Sequence, residues 1–113
     1  AEYDENQRLL TINFSGEIDH HTCLEISRKT DDVIRKYLPH KVMFDFEKVN
    51  FMDSSGIGFI IGRYTQIKKH NGKVYVCSMN QLVERIFMLS GLKKICEVGK
   101  TEEDVERMMG VTA

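Results

Sequence analysis

The sequence has no large excess of charge of either sign. Its 113 residues include 16 Lys and Arg against 17 Asp and Glu, which leaves a formal net charge of −1. A chain without a basic excess has little electrostatic attraction for phosphate backbones or for anionic lipid head groups. The composition therefore argues against nucleic acid and membrane partners.

Long apolar runs and paired cysteines are also absent. No apolar stretch is long enough to cross a bilayer, and no positively charged leader precedes an apolar run. The three cysteines, Cys23, Cys77 and Cys96, are far apart, form no CxxC pair and each have an apolar neighbour. That pattern is typical of buried thiols in a reducing compartment. We therefore expect a cytoplasmic protein without a metal site or cofactor.

Proline occurs only once, while 42% of the residues are hydrophobic and 29% are charged. This is the composition of a folded domain and not of a disordered tail. A chain of this length can bury one hydrophobic core but not two. We expect a single domain over residues 1–113.

Short apolar segments alternate along the chain with helix-like patterns. Strand patterns cover residues 9–14, 42–46, 74–77 and 95–98, with a partner strand near residues 2–3. Helix patterns begin near Thr22, Asp53, Ser78 and Thr101. This alternation implies βα crossovers and parallel pairing of strands. The predicted fold is α/β, with a mixed, largely parallel sheet of four to five strands and about four helices.

Three local signals refine this prediction. Thr22 and Glu25 have the spacing of a capping box at the start of the first helix. A turn is expected at residues 48–50, and Gly91 is expected at the left-handed end of the third helix.

The segment Asp53-Ser54-Ser55-Gly56 stands between a predicted strand and the second helix. The carboxyl end of a strand is where α/β folds usually place functional groups, because backbone N–H groups point outward there. Asp53 or Ser54 can also serve simply as a helix N-cap, which contributes about 1 kcal/mol. The spacing by itself favours the cap.

The second helix has an unusual polar side. At about 100° per residue, its core face consists of Ile57, Ile60, Ile61, Tyr64 and Ile67. Ser54, Ser55, Gly58, Phe59 and Gly62 then lie away from that face. Glycines there cost about 1 kcal/mol each relative to alanine, so a strip of small side chains suggests a closely docking partner. Phe59 is either an anchor in that interface or a core residue covered by neighbouring helices.

Phosphorylation of a serine in this segment would add nearly two negative charges at the start of the helix. The helix dipole tolerates an anion there, so the fold should persist. A docked partner would have to bury that charge beside Asp53, which can cost several kcal/mol. The segment therefore suits a binding switch that needs no refolding.

Four strings of residues, in the right order over nearly the whole chain, resemble the STAS-domain anti-sigma factor antagonists of sporulation. The strings are residues 16–22 (GEIDHHT), 51–58 (FMDSSGIG), 62–64 (GRY) and 89–92 (LSGL). The resemblance implies that the unphosphorylated chain binds an anti-sigma factor serine kinase with bound nucleotide and releases a sigma factor. The kinase then inactivates the chain with ATP, and a PP2C-type phosphatase resets it.

The resemblance also assigns residues. The phosphoacceptor of this family is the serine directly after the aspartate, which implies Ser54 and not Ser55. The Asp19-His20-His21 string belongs to the family motif, so we expect it near the serine and in contact with the partner. The predicted partner-binding residues are Asp19, His20, His21, Asp53, Ser54, Ser55, Gly56, Gly58, Phe59 and Gly62.

Three other functions are compatible with parts of the pattern. Asp19, His20 and His21 could bind a metal, but adjacent histidines point apart and no further ligand has suitable spacing. A serine hydrolase lacks a G-x-S-x-G elbow and room for a substrate cleft. A receiver domain phosphorylated on aspartate would need an acidic pair to hold Mg²⁺, and Asp45 stands alone.

Overall fold

A computed structural model describes residues 1–110. The strands are β1 (Glu2–Asp4), β2 (Leu9–Ile18), β3 (Lys41–Met52), β4 (Lys73–Cys77) and β5 (Glu97–Gly99). The helices are α1 (Cys23–Tyr37), α2 (Ser54–Lys68), α3 (Gln81–Leu89) and α4 (Glu102–Met108), with a short 3₁₀ helix at Leu92–Lys94. None of the helices within the described residues is long and apolar enough to span a membrane.

The five strands form one sheet in the order β1-β2-β3-β4-β5. β1 pairs antiparallel with β2, and every other neighbouring pair is parallel. The predicted α/β fold with a mixed, largely parallel sheet is therefore confirmed. Both β2 and β3 are consequently followed by a helix at the same edge of the sheet.

Alternation along β3 divides the buried residues between the two faces of the sheet. Val42, Phe44 and Phe46 belong to the larger core, which α1, α2 and α3 cover. Met43 belongs to a smaller core on the opposite face, together with Val105 of α4. A central strand covered on both faces explains the nearly continuous apolar run of its sequence.

The strands β2 and β3 are longer than their apolar patterns predict. The turn expected at residues 48–50 is wrong, because β3 continues to Met52. β2 likewise continues past Gly16, whose φ is +85°, to Ile18. Register irregularities between residues 13 and 17 break the period-two alternation of buried side chains, so hydropathy alone does not reveal the extension.

The start of α1 differs from the predicted capping box. The Thr22 side chain makes no cap hydrogen bond to the helix. Its hydroxyl instead donates to the carbonyl oxygen of Glu17 at 2.8 Å and accepts from the N–H of Asp19 at 3.0 Å. Thr22 therefore holds the loop before α1 in place.

The core face of α2 is rotated from the predicted one. Gly56, Phe59, Ile60 and Ile67 are buried, whereas Ile61 is 44% exposed. Phe59 is only 3% exposed and packs edge-on against Phe14. The interpretation of Phe59 as an interface anchor is therefore wrong, and its alternative as a core residue is correct.

The structure also defines the two ends of α3 and the burial of the cysteines. Gly91 has a φ of +79° just after α3, as expected of a left-handed helix end. α3 itself begins after Asn80, whose side-chain oxygen accepts from the N–H of Val83 at 2.8 Å. Of the cysteines, Cys77 and Cys96 are buried and Cys23 is only partly so.

Candidate functional site

The site forms where β2 and β3 end side by side. Ile18 pairs with Met52 at the last position of both strands, and the N–H of Asp53 donates to the carbonyl oxygen of Ile18 at 3.3 Å. The two loops that follow must therefore start next to each other. This parallel pairing brings the Asp19 loop to the Asp53 loop, although 33 residues separate His20 from Asp53 along the chain.

Asp53 joins these two loops with its two carboxylate oxygens. Its Oδ1 accepts from the N–H of Ser55 at 2.8 Å, which makes Asp53 the N-cap of α2. Its Oδ2 accepts from the N–H of His20 at 3.3 Å. Asp53 is therefore both a helix cap and the connection between the loops, and the expectation that residues 19–21 lie near the serine is confirmed.

Asp19 organises the first loop in a similar way. Its Oδ1 accepts from the N–H groups of His21 at 2.9 Å and Thr22 at 3.0 Å. The hydrogen bond from Thr22 contributes most to lowering the pKa of the Asp19 carboxyl below its ordinary value. Asp19 thus adds a stable negative charge beside Asp53.

The two serines of the segment differ in their surroundings. Ser54 is exposed at the first position of α2. Ser55 is half-buried, its N–H donates to Asp53, and its carbonyl oxygen accepts from the Cys23 thiol at 3.3 Å. The hydroxyl of Ser54 therefore points to the surface at a helix N-terminus, where the helix dipole favours an anion.

An exposed strip runs along α2 from Ser54. At 100° per residue, Gly58, Ile61 and Thr65 follow Ser54 on the same side of the helix, and all four are exposed. Gly62 is half-buried at the edge of this strip. The sequence predicted Ile61 to lie in the core, but its exposed side chain makes part of the strip apolar.

Leu24 is a second apolar residue that the prediction missed. It is 71% exposed in the first turn of α1, directly after Cys23, which contacts Ser55. A leucine at this level of exposure contributes little to folding. Its position beside a contact to the serine segment was not accessible from the sequence, because it depends on how α1 lies against α2.

Gly56 has a structural role and is not part of the exposed strip. It is buried, and a Cβ atom at this position would overlap the Met52 side chain and lie 3.2 Å from the carbonyl oxygen of Ile18. A larger residue would therefore require Met52 or the start of α2 to move. The predictions that Gly56 and Phe59 lie on a partner-binding surface are therefore wrong.

An ion pair ties α2 to α1 behind the strip. Arg63 Nε lies 3.0 Å from Asp31 Oδ1, and the two side chains are only 15% and 25% exposed. The guanidinium group also lies 5.4 Å from the centre of the Phe59 ring. Because the pair is shielded from solvent, removal of either partner would leave the other charge largely buried and uncompensated.

The alternative functions find little support in this geometry. No group of three or more potential ligands that could hold a metal ion occurs within residues 1–110. His20 contacts Asp53 through its backbone N–H, so the carboxylate does not orient the imidazole as a catalytic triad requires. Asp45 is buried on the face of the sheet that α4 covers, where its Oδ1 accepts a hydrogen bond from the N–H of Glu47 at 2.8 Å.

Comparison with known proteins identifies the family. The sequence profile of the STAS domain matches residues 1–106. The chain is 35% identical over 101 residues to the anti-sigma F factor antagonist of Paenibacillus polymyxa, covering 89% of this chain and 86% of the relative.

Solved structures agree with this match. The unphosphorylated form of the anti-sigma factor antagonist SpoIIAA superposes with a TM-score of 0.78 at 28% identity, over 95% of this chain and 93% of that one. The phosphorylated form of Bacillus SpoIIAA gives 0.67 at 27% identity, over 90% and 92% of the two chains. The chain therefore belongs to the STAS domain family, as a non-enzymatic regulator of the anti-sigma factor antagonist type.

Proposed function

We propose that this protein is a phosphorylation-controlled antagonist of an anti-sigma factor that is also a serine kinase. The unphosphorylated chain binds the kinase with its bound nucleotide and so releases a sporulation sigma factor. The kinase transfers phosphate from ATP to Ser54, and the phosphorylated chain dissociates. A PP2C-type phosphatase restores the binding form, and the cycle takes place in the cytoplasm.

The observation that carries the proposal is the contrast between the two serines. Ser54 is exposed at the N-terminus of α2, whereas Ser55 is half-buried and its backbone N–H and carbonyl oxygen are bonded to Asp53 and Cys23. A kinase must reach a hydroxyl that stands free of the fold, which favours Ser54. Solved structures of SpoIIAA in an unphosphorylated and in a phosphorylated form support a modification cycle in the family.

The proposed partner-binding surface consists of exposed and half-buried residues around Ser54. It comprises Asp19, His20, His21, Asp53, Ser54, Ser55, Gly58 and Gly62, to which the structure adds Leu24 and Ile61. Small residues along α2 permit close approach of a partner, and the two exposed aliphatic side chains supply the apolar contact that stable interfaces need. Phosphate on Ser54 would place a dianion within this surface beside Asp53.

The direct test is the intact mass of the chain before and after incubation with the cognate anti-sigma factor and ATP. We expect the addition of one phosphate, which peptide mapping assigns to Ser54. Ser54→Ala should abolish the addition, and the matched variant Ser55→Ala should retain it. Phosphate on Ser55 or on an aspartate would refute the assignment, and binding to the kinase that is indifferent to modification would refute the switch.

A further inference from the structure

A second concave surface lies at the opposite edge of the sheet from Ser54. Arg8 directly precedes β2 and His40 directly precedes β3, so both stand at the amino ends of the parallel strands. Together with the carboxyl-terminal ends of α1 and α2, they surround a pocket of about 330 Å³. This volume falls within the range of roughly 300–1,000 Å³ that is usual for small-molecule sites.

The inner wall of this pocket is apolar. It includes Ile34 of α1, Ile67 of α2, and Pro39 from the loop after α1, and all three are buried. Leu38 also lines the pocket, yet its side chain is 64% exposed. An aliphatic ligand in the pocket would cover Leu38 and remove its exposed apolar surface from water.

The rim of the pocket is basic. Arg8, Arg35, His40 and His70 line it, and no acidic side chain does. Arg35 forms an exposed ion pair with Asp32, which lies outside the lining, so Arg8 provides the less compensated guanidinium charge. In a chain with a net charge of −1, this local absence of carboxylates favours an anionic group on the ligand.

Two lining residues have a backbone conformation that side chains rarely adopt. Leu38 has a φ of +48° and Arg8 a φ of +52°, positions at which glycine would avoid strain. Such conformations tend to be retained where a side chain has a role at that place. Here they set an aliphatic side chain and a guanidinium group at the same opening.

Helix capping accounts for only part of this arrangement. The Arg8 guanidinium donates to the carbonyl oxygen of Leu38 at 3.3 Å, which satisfies one group at the end of α1. Basic residues there also balance the helix dipole, which amounts to about half a charge. The left-handed conformation of Leu38 also belongs to the end of α1, where its N–H donates to the carbonyl oxygen of Ile34 at 2.8 Å. None of these effects requires an open pocket with an apolar wall.

We propose that this pocket binds a small carboxylate with an apolar body, at a site separate from the Ser54 surface. The carboxylate would accept hydrogen bonds from Arg8, whose fork of N–H donors matches its two oxygens. The apolar body would lie between Leu38 and Ile67. An inorganic anion would leave Leu38 exposed, and a neutral aliphatic molecule would leave the basic rim without a partner.

The test is an amide NMR titration of the full chain with octanoate, and in parallel with octanol and with sulfate. We expect octanoate to shift the amide signals of His40 and His70 in a saturable way, without shifting those of residues 53–58. Octanol and sulfate should each bind at least about tenfold more weakly than octanoate. Octanol lacks the carboxylate, and sulfate lacks the apolar body. Equal binding of octanol or of sulfate, or no saturable shift with millimolar octanoate, would overturn the proposal.

Variants locate the site independently of that comparison. Arg8→Gln should weaken octanoate binding about tenfold, whereas the matched control Arg28→Gln, on an exposed part of α1 outside the pocket, should leave it unchanged. Leu38→Gly should raise the midpoint of thermal unfolding by relieving the positive φ, and yet weaken octanoate binding. Unchanged affinity in both Arg8→Gln and Leu38→Gly would assign these residues to helix capping alone and refute the site.

Discussion

Two glycines in the first turns of α2 have different physical reasons to be glycine. Gly56 is buried where the helix meets the ends of β2 and β3, and a side chain there would overlap Met52. Gly58 is exposed, and an added Cβ would have no heavy atom within 4 Å. The fold therefore demands glycine at residue 56 only. Glycine at residue 58 costs helix stability, and no neighbouring atom within the described residues requires it.

We expect Gly58→Ala to raise the free energy of unfolding by about 1 kcal/mol, because alanine is the better helix former and meets no neighbour. Gly56→Ala should lower it, because Met52 or α2 must move. Chemical denaturation of both variants measures the difference. Gly62→Ala is the matched control, since its Cβ would also meet no atom within 4 Å. Destabilisation by Gly58→Ala would show that the fold, and not a partner, requires this glycine.

The proposed docking strip leads to a second prediction for Gly58→Ala, on partner binding. A methyl group in the strip should keep the partner away from the backbone of α2, so the stabilised variant should bind the kinase less tightly than the unmodified chain. A variant that is more stable but binds less well separates the requirement of the interface from that of the fold.

The helix α4 packs on one face of the sheet and brings a carboxyl group next to a buried carboxyl group of β3. It covers the face opposite to α1, α2 and α3, and its cap is Thr101, whose hydroxyl accepts from the N–H of Asp104 at 3.1 Å. Its first residue, Glu102, shares a small pocket with the buried Asp45 of β3. A hydrogen bond with Asp45, then burial and then the negative charge of Asp45 raise the pKa of Glu102 to about 7.

Stability should therefore depend on pH through Glu102. The folded protein retains a proton that the unfolded chain, with an ordinary pKa of 4.5, releases earlier. The folded state binds more protons between about pH 4.5 and 7, so stability falls as pH rises through that window. Glu102→Gln should remove much of this fall and be more stable than the wild type at neutral pH or above. Unfolding midpoints measured across the pH range test this.

Glu103→Gln is the matched control for that series, because Glu103 is the exposed neighbour of Glu102 in α4. It removes the same charge without altering the contact to Asp45. A pH profile that changes equally in both variants would mean that the net charge of the helix matters and the contact does not.

At the scale of the whole molecule, the ends of the strands position the proposed partner-binding surface around Ser54, but this surface is not part of the hydrophobic core. Asp19 and Asp53 follow the paired ends of β2 and β3, and both core clusters exclude the serine segment. The ion pair between Arg63 and Asp31 connects α2 to α1 on the side of α2 opposite Ser54. Charge can therefore be added at Ser54 without disturbing buried packing.

We expect Ser54→Asp to keep the fold and to lose the partner. The unfolding midpoint should change little, since an acidic residue in the first turn gains at most about 1 kcal/mol from the helix dipole. Binding to the kinase should weaken about a hundredfold or more, because like charges in an interface cost several kcal/mol. Calorimetry and a binding titration measure the two effects. Ser54→Asn, of similar size without the charge, is the control, and full binding by Ser54→Asp would contradict an electrostatic switch.

The sequence by itself determined the class of fold, because a buried central strand and alternating strands and helices leave periodic patterns that need no tertiary information. The apolar run at residues 42–46 and the serine segment at a strand-to-helix turn were both placed correctly. Motif strings also identified the family, which composition and periodicity could not do.

Tertiary structure decided which sides of the elements face the core and which groups meet. α2 carries apolar residues around most of its circumference, so its period could not distinguish Phe59 in the core from Ile61 at the surface. The irregular register that extends β2 and β3 left no hydropathy signal, yet it joins His20 to Asp53. Contacts between distant segments depend on how the elements pack, and no local pattern of residues contains that information.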